Sequence, residues 1–79
     1  MNDNTILNQL KEAMYAESDS MTRTARKFGR ASTWGDALSQ RLLGILNAAI
    51  FLGVSKEGRD ELIKLMNRLN QRFDDDSEY

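Results

Sequence analysis

The run LLGILNAAIFLGV, residues 42–54, carries no charge and no proline, and its one amide side chain is Asn47. Its 13 residues fall well short of the roughly 20 that a membrane-spanning helix needs, and Arg41 immediately precedes it, so it reads as a core helix. Counted from Ala37, the apolar set is Ala37, Leu38, Leu42, Leu43, Ile45, Leu46, Ala48, Ala49, Ile50, Phe51 and Leu52. Apolar residues on nearly every face of a helix imply enclosure by neighbouring helices or contact with a second subunit. The flanking sequence has to supply those neighbours.

Punctuation on both sides sets the ends of this central helix. Thr33, followed three positions later by Asp36, has the spacing of a reciprocal N-terminal cap with an acid in the positive first turn. Gly53 supplies a stop and Ser55 the next cap, leaving a turn short enough to demand an antiparallel helical hairpin. The third helix then runs over about 56–73. Leu62, Met66, Leu69 and Phe73, flanked by Ile63 and Leu65, form its inner stripe, while Lys56, Asp60, Lys64, Arg68 and Arg72 repeat every four residues outside. Acids early and bases late in this helix match its dipole, so a solvated face is the first reading of the mostly cationic later part of that row.

Upstream, Leu7, Leu10, Met14, Met21, Ala25 and Phe28 keep one apolar stripe over about 4–28, with Asn4 or Asp3 placed to cap its start. The triplet SDS at 18–20 is poor in helix formers, and a break or bend there stays open. Gly29 fits the left-handed position past the helix end, with Arg26 and Lys27 in the last turn where cations suit the carbonyl end. The expected architecture is an all-α, compact three-helix bundle over 1–73, oligomeric through its central helix, followed by an acidic, disordered tail at 74–79.

At 79 residues the chain is a single domain with a thin core, and domains of this size often gain stability by oligomerising. Cys, His and Pro are all absent. That removes disulfides, thiol nucleophiles and imidazole bases, and it leaves no ligand set for zinc. No metal or cofactor is expected. The acids fall at helix starts, on outer faces or in the tail, and KFGRASTWG (27–35) has two glycines six apart but no consecutive Gly-Lys-Ser/Thr of a phosphate-binding loop, so an enzyme is the poorest class. No charged and apolar leader is seen at the N-terminus, and the cytoplasm of the producing or host cell is the expected place of action.

Residues 21–42 also scan as a degenerate helix-turn-helix, with Ala25 at the helix crossing and Gly29 in the turn. The apolar anchor position, however, falls on Gly35. After Asp36 the second helix offers a groove mainly Ser39, Gln40 and Arg41, where recognition needs a polar and basic face. Arg23, Arg26, Lys27 and Arg30 gather without an acid among them, but 11 basic and 12 acidic residues give the chain a net charge of −1. Tight binding to duplex DNA is therefore the lesser reading.

The partner- or anion-binding candidates are those four cations and Trp34, which is either a cap on the core or an interface anchor. Tyr15, beside the first stripe, has the same two readings. The self-association candidates are Leu43, Gly44, Asn47, Ala48, Ile50 and Phe51. Gly44 and Ala48 make a small-residue face for close packing, and an Asn on an apolar helix fixes register in symmetric pairs. The expected function is a non-enzymatic helical protein that binds and regulates or inhibits a macromolecular partner, most readily another protein. Its size suits a phage or mobile-element accessory or anti-defence protein. The alternatives are a DNA-binding regulator and an oligomeric binder of an anionic ligand such as a nucleotide; no membrane partner is expected.

Overall fold

In the computed structural model, residues 3–29 and 32–76 are described. They form three helices, α1 (Asp3–Phe28), α2 (Ser32–Phe51) and α3 (Lys56–Asp76), each packed against the other two. The result is an all-α bundle with a long axis of 40 Å against 17 and 15 Å across. Polar ties between helices fix the directions. Lys11 meets Glu61 at 3.7 Å and Asp19 meets Arg72 at 3.7 Å, so α1 and α3 run parallel. Arg41 of α2 reaches Glu17 at 2.9 Å, while Ser39 reaches Asn70 at 3.3 Å, which places α2 antiparallel to both.

α1 is continuous through 18–20. The reason lies in register: Ser18 continues the stripe Met14, Ser18, Met21, Ala25, and its small side chain is buried at 1% exposure. Thr22 and Thr24 each return their hydroxyl to the carbonyl four residues back, at Ser18 and Ser20, so neither hydroxyl disrupts the turn. Phe28, by contrast, leaves the expected stripe. Its ring is 69% exposed and lies under the Lys27 ammonium, 5.3 Å from the ring centroid.

α2 begins at Ser32, which puts Thr33 within the first turn instead of before it. Its other end is a Schellman motif. Gly53 is in the left-handed region at φ +78°, its N–H donates to Ile50 O and the Val54 N–H donates to Ala49 O, with Val54 and Ala49 both buried. Ser55 caps α3 as expected, its Oγ accepting from the Gly58 N–H at 3.2 Å. α3 continues to Asp76, so residues 74–76 of the expected tail extend the helix, while 77–79 lie outside the described residues.

The core is Met14, Met21, Ala25, Leu38, Leu42, Leu46, Ala49, Val54, Leu62, Leu65, Leu69 and Phe73, with Ile6, Leu7, Leu10, Trp34, Ala37, Ile45 and Met66 packed around it. Enclosure of the central helix on every side is not what the fold achieves. Two neighbours cover one flank of α2, through Leu38, Leu42, Leu46 and Ala49, and three helices leave none to cover the other.

Candidate functional site

The uncovered flank of α2 is the most unusual surface of the molecule. Phe51 is 92% exposed, Ile50 and Leu52 54% each, and Leu43 43%, with Gly44 and Asn47 exposed between them and Ala48 half-buried at the edge. The helical repeat explains the alignment: residues 36, 40, 43, 47 and 50 follow one another by three or four and share a face. Asn47 is therefore an exposed residue at the middle of this face, not an amide buried within the chain. Around Gly44 no atom lies within 4 Å of where a Cβ would sit, so nothing inside the bundle uses its small size. All six self-association candidates are thus brought together on or beside one surface.

Toward α3 this face continues into an open cleft of about 240 Å³ lined by Leu46, Ile50, Lys56, Arg59, Asp60 and Ile63. Ile63, expected beside the inner stripe of α3, is turned to this rim and 38% exposed. Arg59 Nε is buried here without an acceptor among the described residues.

Trp34 lies at the start of α2, half-buried against the core, and its indole N–H donates to Gly29 O at 2.9 Å. It closes the carbonyl end of α1 and braces the α1–α2 corner. The neighbouring Gly35 faces the end of α3, with its Cβ position 3.6 Å from Asp74 Oδ1 and 3.9 Å from the Phe73 ring. The position a helix-turn-helix would anchor with an apolar side chain is thus a place where α3 approaches closely.

The basic candidates divide. Arg23 and Arg26 line an open groove of about 400 Å³ between α1 and α3 together with Asp19, Thr22 and Arg72. Lys27 instead lies over Phe28, and Arg30 falls outside the described residues. Further along the same α1–α3 groove, Lys11, Tyr15, Glu61, Lys64, Leu65 and Arg68 line a second concavity of about 310 Å³. The later part of the outer row of α3, Lys64, Arg68 and Arg72, thus lies on the same groove as cations of α1. Only the packing of α1 on α3 in parallel makes that visible, since Arg23 and Arg72 lie 49 positions apart in the sequence.

Among the described residues no three metal-ligating side chains come together, and no helix is long and apolar enough to cross a membrane. The chain matches no protein-family model, and neither the curated proteins nor the solved structures contain a significant match.

Proposed function

We propose that this protein works by stoichiometric association: a non-enzymatic helical bundle that pairs with a second copy through the outward face of α2 and, so assembled in the cytoplasm, binds and regulates or inhibits a macromolecular partner. The observation that carries this reading is the exposure of Leu43, Ile50 and Phe51 on the outer flank of α2, with Leu52 exposed just past its end, in a stretch without charge from Leu42 to Ser55, while the core beneath is already closed. Clustered exposed apolar side chains mark association surfaces more often than scattered ones do.

Self-pairing suits this face better than a charged partner does. From Leu42 to Ser55 there is no charge to select an acidic or basic ligand. In an antiparallel pair about a two-fold axis at Asn47, each Leu43 meets the other chain's Phe51, and the two Asn47 amides meet each other at the axis. Gly44 then allows close approach where no group of its own chain lies near. Asp36, at the far end of the face, is carried toward Lys56 on the rim of the other copy's cleft. An isologous arrangement of this kind is the commonest form of homo-oligomer.

Light scattering across a dilution series tests the pairing. The expected result is a mass that rises from 9.0 kDa toward twice that value with concentration, and a Phe51→Asp variant that stays at the lower mass while keeping its helical spectrum. A wild-type chain that remains at 9.0 kDa at every concentration overturns the pairing. The regulatory role is tested by capture of a single stoichiometric protein from host lysate by the wild type, and its absence counts against that role.

A further inference from the structure

We infer, resting on the pairing of α2 faces proposed above, that the Arg59 guanidinium of each copy takes the Asp60 carboxylate of the other. These two reciprocal contacts make the association selective for a second copy of this chain. Both residues line the cleft between α2 and α3, with Leu46, Ile50 and Ile63 as its apolar walls and Lys56 at its rim. Arg59 is half-buried there, and its Nε is sealed from solvent without a hydrogen-bond acceptor among the described residues. A buried donor on a charged group is costly to leave unmade, so the missing acceptor has to come from another molecule. Asp60, beside it, is exposed and forms no ion pair among the described residues, although Lys56 and Lys64 stand one turn to either side. Two opposite charges on adjacent residues thus share one cleft, and neither is satisfied within the chain.

Symmetry decides what faces this cleft. In an antiparallel pair the two-fold axis is perpendicular to both α2 helices, so it reverses their direction but keeps α3 on the same flank of each. Leu46 and Ile50 lie to either side of Asn47 along the helix, which puts the cleft beside an axis drawn through Asn47. The clefts of the two copies therefore open toward each other. Each presents a cation and an anion on neighbouring residues, and the rotation sets Arg59 of one copy against Asp60 of the other, twice. A parallel pair would carry the two α3 helices to opposite flanks and leave both Arg59 side chains without a counter-ion. Guanidinium–carboxylate bonds are strong and directional, and apolar walls shield them from screening by salt. The contact thus fixes an orientation that the uncharged face of α2 alone leaves free. Lys56, at the outer rim, is left to Asp36 of the second copy.

Sedimentation equilibrium of the full chain and its variants, read as the dimer dissociation constant, tests the contact. Arg59→Glu and Asp60→Arg should each weaken self-pairing by about tenfold or more, because each sets like charges together twice. The exchanged chain, Arg59→Asp with Asp60→Arg, keeps the net charge of −1 and restores opposite charges across the axis. It should pair within about threefold of wild type, the coupling that a direct contact requires. An equimolar mixture of the two single variants should form a mixed dimer tighter than either variant forms alone, since the mixed pair regains both contacts. Circular dichroism melts establish that each variant is folded, and Arg59→Gln, which removes the charge but keeps a polar stem, should weaken pairing in the same direction. A wild-type chain that never pairs refutes the pairing of α2 faces and this contact with it. Wild-type pairing with unchanged constants in the single variants overturns the contact alone. So does an exchanged chain no tighter than the single variants, or a mixture that yields no mixed dimer.

Discussion

The indole N–H of Trp34 donates to the carbonyl oxygen of Gly29 across the corner between α1 and α2, at 2.9 Å. One side chain thereby satisfies a carbonyl just past the end of the first helix while its ring body packs on the core of the second. Trp34→Phe keeps an aromatic body and removes the donor, and should cost about 1 kcal/mol, the usual net value of one hydrogen bond. Trp34→Ala loses the packing as well and should cost more, toward about 3 kcal/mol. Urea titration followed by circular dichroism measures both. An equal loss for the two variants would show that the ring packing contributes nothing beyond the bond.

Two glycines of ordinary backbone geometry should respond to alanine with opposite sign. At Gly44 the added methyl meets open space, so Gly44→Ala should stabilise the monomer by about 0.5–1 kcal/mol through helix propensity. At Gly58 the methyl would lie 2.7 Å from Val54 Cγ1 and 3.5 Å from Leu7 Cδ2, and Val54 is a stiff, buried side chain in the turn. Gly58→Ala should therefore destabilise by about 1 kcal/mol or more. Thermal melts of dilute protein read the two signs. In concentrated protein Gly44→Ala should also weaken self-pairing, because the methyl then occupies the close approach between copies.

Truncation on the two flanks of α2 should separate folding from association. Leu42 is fully buried and Leu42→Ala should cost about 2–4 kcal/mol of stability, a large share of what a domain this small possesses. Phe51→Ala and Leu43→Ala, on the other flank of the same helix, should leave the dilute monomer within about 0.5 kcal/mol of wild type. They should lower the mass seen by light scattering. Denaturation and scattering on the same samples give both readouts.

The three-helix order and the helix-ending role of Gly53 with the Ser55 cap are legible in the sequence because each depends on local chemistry within a few residues. The one-sidedness of α2 is not. Leu42 and Leu43 are equally apolar as residues, and which of them is covered depends on where α1 and α3 settle, a property of the whole bundle. The cationic groove shows the same limit: Arg23 and Arg26 form a visible cluster, but Lys64, Arg68 and Arg72 read as an ordinary solvated row until α3 is laid beside α1. Gly58 gave no signal either, since its constraint comes from Leu7 and Val54 and not from its own φ.

Ser18 offers the sharpest check on how α1 is held. A polar residue within SDS looks like a place for the helix to end, yet it occupies the inner stripe at 1% exposure between Met14 and Met21. If its role is to be small where the helices meet, Ser18→Ala preserves volume, improves helix propensity and should leave stability unchanged or raised by up to about 0.5 kcal/mol. Ser18→Leu keeps the apolar pattern but inserts three carbons into a closed space, and should cost about 1–3 kcal/mol by overpacking. Were the serine instead a helix breaker tolerated for flexibility, both substitutions would strengthen the helix and both melting temperatures would rise. A fall for leucine together with no loss for alanine assigns position 18 to packing, and with it the continuity of α1 that lines up Lys11, Tyr15, Arg23 and Arg26 along one groove.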